Sequence, residues 1–119
     1  MVKPTEDQGG MMMSFFKVSD LRPKAILEGI TLRAVAGNQT MVTFVEFQPH
    51  AVLPKHRHPH EQITYVLAGE IELELDGRRS LLKEGEGAVV RPNVEHGARV
   101  LNKPTRVLDA WYPIREDYL

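Results

Sequence analysis

Short segments of alternating apolar and polar residues, separated by turn residues, fill the chain from Thr31 onward. Segment 71–75 alternates apolar with acidic residues, which is typical of a strand with one buried face and one wet face. About eight such segments with glycine-containing turns predict an all-β sandwich or barrel. The predicted strands are 31–36, 40–47, 63–67, 71–75, 78–82, 88–90, 97–101 and 105–112.

The region before the first predicted strand has a different pattern. Only 21–28 has a pattern compatible with a helix, and Pro23 and Gly29 limit it. We expect residues 1–13 to be a disordered extension, with ordered structure from Ser14. The apolar stretch 11–16 is too short for a signal peptide, and no apolar run approaches the roughly 20 residues of a membrane helix. A cytoplasmic protein without a membrane partner is predicted.

Composition narrows the chemistry further. A chain of 119 residues and 13.5 kDa has room for one domain. A formal net charge of -1 gives no general attraction to nucleic acid. The absence of cysteine excludes disulfides, thiolate metal sites and cysteine nucleophiles. Any metal ion must therefore be held by nitrogen and oxygen atoms.

The histidines are clustered, and their spacing predicts a metal site. His56 and His58 are two residues apart, so on a strand both imidazoles share a face, and Gln62 has the same parity. A further ligand has to come from elsewhere, and His96 is the distant histidine. Imidazole suits zinc, manganese, nickel and iron alike. The alternative is a loop rich in proline and histidine that merely exposes these side chains.

A second candidate feature lies near the end of the chain. Asp109 lies in an apolar run and shares a strand face with Trp111. If that face points inward, Asp109 is a buried charge that needs a partner, a metal ion or a catalytic role. If it points outward, the carboxylate is solvated and Trp111 packs at an interface. Arg115 follows Pro113 as a surface charge or a side chain folded back over a pocket.

Two segments resemble the paired motifs of the cupin family. Segment 56–69 is similar to the first motif, His-x-His-x3-Glu-x6-Gly, with Gln62 in place of glutamate, and segment 87–96 is similar to the second, ending on His96. The resemblance implies a single-domain, cupin-type jelly-roll β-barrel over residues 14–119. It also implies one divalent metal ion (Zn, Mn, Ni or Fe) held by His56, His58, Gln62 and His96, and a homodimer.

Four positions need comment because they depart from the motifs or leave a role open. His50 stands where the first motif has glycine, so we expect a loop residue there, and Asn93 replaces a glycine of the second motif but tolerates positive φ. Gln62 makes all four ligands neutral, which leaves the full charge on the ion and favours an anionic substrate. His60 is expected beside the ligands and not among them.

Three segments together are similar to a narrower group, the small pectin-degradation cupins. These segments are 13–16, 58–62 (His-Pro-His-Glu-Gln) and 109–119. Members of the group convert 4,5-unsaturated monouronates, released from pectin or alginate, to linear keto forms in an isomerase-like step. The resemblance assigns substrate-facing roles to Asp109, Trp111 (in place of the more usual phenylalanine) and Arg115.

The residue types suit that chemistry. Asp109 can exchange protons, Trp111 can stack on the sugar ring, and Arg115 can pair with the substrate carboxylate. Arg91 and Arg99, near His96, are further candidates for the carboxylate. A small anionic sugar acid is thus the predicted partner. The alternatives are a non-catalytic binding or regulatory cupin and a metal-dependent dioxygenase.

Overall fold

The structure, a computed structural model, describes residues 14–119 as two packed β-sheets. The predicted extension, residues 1–13, lies outside the described residues. Two short 3-10 turns, Val18–Asp20 and Glu116–Tyr118, flank the strands. The strands are β1 (Lys24–Leu27), β2 (Ile30–Ala36), β3 (Met41–Phe47), β4 (Val52–His56), β5 (Glu61–Ala68), β6 (Glu70–Leu75), β7 (Arg78–Lys83), β8 (Gly87–Val90), β9 (His96–Val100) and β10 (Thr105–Tyr112).

The strands divide into a six-stranded sheet in the order β1-β2-β3-β10-β5-β8 and a four-stranded sheet in the order β4-β9-β6-β7. Neighbouring strands run antiparallel throughout the described chain. The predicted all-β jelly roll is confirmed. Within residues 14–119 the two sheets face each other without hydrogen bonding into a closed cylinder.

The core lies between the sheets and follows from the alternation in the sequence. Every second residue of β10 is buried, beginning with Thr105, and the same alternation runs through β3 and β5. Five polar side chains interrupt this apolar interior on β3, β5 and β10, namely Thr43, Gln62, Thr64, Thr105 and Asp109. The apolar core residues around them include Ile30, Leu32, Val45, Phe47, Val66, Ile71, Leu73, Val100 and Val107.

Eight of the ten strands match the predicted segments to within two residues at either end. The helical interpretation of 21–28 is wrong, because this segment contains β1, which pairs with β2. Strand β4 was not predicted, since Pro54 lies inside it and its surroundings have the composition of a loop. Proline is tolerated here because β4 is an edge strand whose pairing with β9 is irregular between Leu53 and His56.

Candidate metal centre and adjoining pocket

Three histidines converge between the two sheets. His56 ends β4 and pairs across the sheet with His96, the first residue of β9. The ring centroids of His56 and His96 lie 4.3 Å apart, and those of His58 and His96 lie 4.7 Å apart. One ring nitrogen from each residue lies within 4.8 Å of the others. The three histidines predicted from the sequence spacing do lie together. However, they do not share one strand face as predicted.

The expected strand parity is wrong at His58. Strand β4 ends at His56, and His58 lies in the irregular segment before β5. Gln62 then comes from β5, in the other sheet. The ligand candidates therefore approach from both sheets and a connecting loop, and they do not share one strand face.

Each of the three imidazoles is oriented by a hydrogen bond to backbone. In His56, His58 and His96 the Nδ1 atom contacts a carbonyl oxygen, which can only accept, so Nδ1 carries a proton and Nε2 is the ring atom left for a metal ion. The accepting carbonyls belong to Pro54, His60 and Val94, at 2.9, 3.0 and 2.9 Å. This arrangement fixes the tautomer that a metal ion requires.

Burial keeps two of these rings neutral and leaves one lone pair without a partner. Burial lowers the pKa of His58 to about 4 and lowers the pKa of His96. The Nε2 atom of His96 is buried and has no hydrogen-bond partner within residues 14–119. A buried polar atom without a partner is costly, and a cation placed among the Nε2 atoms would satisfy it.

Gln62 adds an oxygen to this cluster. Its Oε1 atom lies 3.1 Å from Nε2 of His58, while its amide nitrogen donates to Oγ1 of Thr64 at 2.8 Å and to Oδ1 of Asp109 at 3.3 Å. With the amide directed at Asp109, Oε1 and Nε2 are two acceptors that face each other. Two ligands at about 2.1 Å from one ion and at right angles to each other lie about 3 Å apart, so this geometry fits a shared cation.

Asp109 lies on the inner face of β10, so the inward alternative of the sequence analysis applies. Its side chain is 8% exposed, and Oγ1 of Thr64 donates to its Oδ1 at 2.7 Å. Burial raises the pKa of the Asp109 carboxyl to about 6. A carboxyl group with this pKa exchanges protons readily near neutral pH.

Trp111 lies on the same buried face of β10 as Asp109. The indole is 4% exposed, and its Nε1 donates to Oγ1 of Thr43 at 2.9 Å. Its ring meets the ring of His58 edge-on at 5.3 Å between centroids and that of Tyr118 at 5.6 Å. Trp111 therefore faces the histidine cluster and does not pack at an outer interface.

The side chain of Arg115 folds back over the site. This is the second of the two alternatives given for Arg115 in the sequence analysis. Its guanidinium lies 4.0 Å from the ring centroid of Tyr118 and 5.2 Å from that of Trp111. The Nε atom donates to Oδ1 of Asp117 at 3.1 Å. The Nη1 atom is buried without a hydrogen-bond partner in the described part of the chain, so a donor remains available for a ligand.

Two adjoining spaces surround these groups. An inner cavity of about 30 Å³ is lined by His56, Gln62, His96 and Asp109, among others. A wider cleft of about 520 Å³ lies outside it, and His56, Arg115 and Tyr118 line both spaces. The inner cavity has the size of an ion or one water molecule, while the cleft has room for a sugar.

The remaining candidates lie outside the ligand cluster. His60 packs edge-on against Trp111 at 6.2 Å, beside the three histidines, and its Nδ1 is buried without a partner among residues 14–119. His50 lies in a turn with φ of 66°, and Asn93 has φ of 65°. Arg91 and Arg99 are exposed and line neither space, and Arg99 pairs with Glu72.

Four residues at the site were not singled out from the sequence. Thr43 and Thr64 appear only once the register of β3, β10 and β5 is known. Lys24 donates to the carbonyl oxygen of Asp117 at 2.6 Å, which ties β1 to the segment that carries Arg115 and Tyr118. For Tyr118, proximity to Arg115 in the sequence was an available signal.

Comparison with known proteins gives consistent matches. The model of the cupin domain family matches residues 43–111. The pectin degradation protein KdgF of Dickeya dadantii (strain 3937) is 31% identical over 94 residues, which are 77% of this chain and 86% of that protein. The structure of KdgF from Halomonas sp. matches with a TM-score of 0.84 and 34% identity, covering 91% of this chain and 100% of that chain.

A further solved structure has the same architecture. An RmlC-like cupin from Shewanella frigidimarina NCIMB 400 matches with a TM-score of 0.85 and 27% identity, covering 90% of this chain and 96% of that chain.

No helix in the described part of the chain has the length and apolar character to cross a membrane.

Proposed function

Because the chain belongs to the cupin family, we propose that it opens the ring of 4,5-unsaturated monouronates with the help of one divalent metal ion. The observation that carries this proposal is the link between a buried carboxylate and the ligand cluster: Asp109 accepts from the amide of Gln62, whose oxygen lies beside His58. Two similar proteins are named KdgF, and one of these is described as a pectin degradation protein.

The proposed ligands are His56, His58, Gln62 and His96. Their inward lone pairs and the unpartnered Nε2 of His96 support this set. When bound, the ion would supply Lewis-acid polarisation of the substrate's carboxylate and ring oxygen. The nitrogen and oxygen donors suit Zn, Mn, Ni or Fe.

Asp109 is proposed as the general acid/base. Its carboxylate takes the proton of the anomeric hydroxyl, a carbonyl forms at C1, and the bond between C1 and the ring oxygen breaks. The bonding electrons leave an enolate at C5, and a proton delivered to C4 gives the linear keto acid. No atom is gained or lost, so the step is an isomerisation and needs no redox partner.

Arg115 and Trp111 are proposed to bind the substrate. The free Nη1 donor of Arg115 can pair with the carboxylate, and Trp111 can pack against the flat part of the ring. Among residues 14–119 the cleft wall has one acidic residue, Asp117, against four basic ones, and this excess supports an anionic substrate although Lys55 and Arg57 also pair with Glu74 and Glu95. The basic residues are Lys24, Lys55, Arg57 and Arg115.

A homodimer and a cytoplasmic location remain proposals. The outer face of the six-stranded sheet supports the dimer, because Ile63 and Val89, paired across β5 and β8, are 51% and 45% exposed, and a second copy would bury them. Molar mass from light scattering tests this: twice 13.5 kDa is expected, and a monomeric mass at working concentration contradicts it.

The reaction type is tested by following the metal-loaded protein with unsaturated galacturonate and mannuronate by proton NMR in an oxygen-monitored cell. Loss of the C4 vinyl proton and appearance of a linear product, without oxygen uptake, is expected. Oxygen uptake that tracks substrate loss would identify a dioxygenase instead. Ligand binding without turnover would identify a binding or regulatory protein.

A further inference from the structure

Three polar side chains form a row across the centre of the six-stranded sheet. The register places Asp109 of β10 directly opposite Thr43 of β3 and opposite Thr64 of β5. All three are buried, with exposed fractions of 8%, 0% and 5%. The two threonines therefore flank the proposed general acid/base on both sides.

The neighbouring row of inward-facing residues on the same strands, two residues away along each strand, is apolar. Val107 of β10 pairs with Val45 of β3 and with Val66 of β5, and all three valines are buried. Valine has nearly the shape of threonine, and burying a hydroxyl in place of a methyl group is unfavourable unless the hydroxyl is hydrogen-bonded. Packing alone would thus be satisfied by valine at positions 43 and 64, so the hydroxyls call for another explanation.

The two hydroxyls bond different residues of the proposed site. Oγ1 of Thr64 donates to Oδ1 of Asp109 at 2.7 Å and accepts from the amide of Gln62 at 2.8 Å. Oγ1 of Thr43 accepts from Nε1 of Trp111 at 2.9 Å. One threonine thus fixes the direction of the carboxylate, and the other fixes the plane of the indole.

From this row we infer that Thr64 is a positioning residue for Asp109 and that Thr43 is a positioning residue for Trp111. The inference rests on the proposed ring opening. Because Asp109 acts on the reacting atoms, losing the Thr64 hydroxyl lowers kcat. Because Trp111 packs on the bound ring, losing the Thr43 hydroxyl raises KM.

The kinetic test uses Thr64→Val and Thr43→Val, with Thr64→Ser and Thr43→Ser as matched controls that keep the hydroxyl. Circular dichroism first establishes that all four fold. We expect Thr64→Val to lower kcat about tenfold or more with KM within about twofold, and Thr43→Val to raise KM about fivefold with kcat within about twofold. The serine variants recover most of each loss.

A second readout does not depend on turnover. The chain has one tryptophan, so its fluorescence reports Trp111 alone. We expect Thr43→Val to shift the emission maximum and to weaken quenching by D-galacturonate, an unreactive analogue, while Thr64→Val and Thr43→Ser leave both close to wild type.

The outcomes separate this inference from the proposed function. Wild-type protein without turnover overturns the ring-opening proposal and the Thr64 part of the inference with it, and the fluorescence measurement then decides the Thr43 part. Unchanged emission and unchanged quenching in Thr43→Val overturn that part in either case. If the wild type turns over and both valine variants show wild-type kcat and KM, or the serine variants fail to recover, the threonines are structural only and the inference is wrong.

Discussion

Oε1 of Gln62 lies 3.1 Å from Nε2 of His58, while the Nδ1 proton of the same imidazole is directed at the carbonyl of His60. Both facing atoms then present lone pairs, which repel each other unless a cation lies between them. This pair is the contact that best supports the proposed metal site.

A change at Gln62 tests the ligand set. Gln62→Glu should bind a divalent metal about tenfold more tightly, because affinity follows the charge of the ligands, yet turn over more slowly because the carboxylate offsets part of the ion's charge. Gln62→Met, of similar size, should bind more weakly than wild type. Isothermal titration calorimetry measures both affinities. Equal affinities in all three proteins would remove Gln62 from the ligands.

Metal removal tests the centre through stability. With the ion at 100 times its dissociation constant, the free energy of unfolding should be about 2.7 kcal/mol higher than in chelator-treated protein. His96→Ala should lose this gain, and His60→Ala should keep it because the His60 backbone carbonyl still accepts from His58. Thermal unfolding with and without metal measures both. A metal-dependent shift that survives in His96→Ala contradicts the assigned ligands.

Asp109 is tested by Asp109→Asn, which keeps the shape and an acceptor for the Thr64 hydroxyl. Turnover should fall about 10²–10⁴-fold, since the general acid/base is removed. Stability should stay level or rise, because a buried carboxylate is costly. Absorbance assays and thermal unfolding measure the two effects. Activity close to wild type would exclude Asp109 from the chemistry.

Arg115 is tested by Arg115→Lys, which keeps the charge and loses the planar pair of donors. KM should rise about tenfold or more, with a smaller change in kcat. Arg99→Lys is the control, because Arg99 lies on the outer surface with Glu72 and should show wild-type kinetics. Equal KM values in the two variants would place the carboxylate elsewhere.

A backbone contact that the fold depends on can be tested at Gly69. Its φ is 83°, and an added Cβ would overlap the side chain of Thr105 and the carbonyl of Pro104. Gly69→Ala should lower the free energy of unfolding by about 3 kcal/mol. Gly77→Ala has a similar φ of 80° with open space around it, so it should cost only about 1 kcal/mol. Urea unfolding compares the two, and equal costs would contradict the contact.

The sequence was most informative where one local pattern decides the structure. Alternation in 71–75 predicts strand β6 because one face of that strand is buried, as the structure has it. The motif spacing correctly predicted that His56, His58 and His96 lie together. The strand parity expected at His58 was wrong, because the residues around the end of β4 are mostly proline and histidine and do not show where a strand ends.

The parts that escaped prediction depend on contacts between distant segments. Thr43 and Thr64 could not be predicted as site residues, because they face Asp109 only through the strand register. A single sequence does not determine that register. The fold-back of Arg115 depends on the Tyr118 ring and on the tie between Lys24 and Asp117, which joins the two ends of the described chain.

The rate at which an unsaturated monouronate loses its ultraviolet absorbance tests the central claim most directly. Protein loaded with a divalent ion should accelerate that loss well above the spontaneous reaction, and chelator-treated protein should not. A rate equal to the spontaneous one with each of Zn, Mn, Ni and Fe would contradict the proposed function.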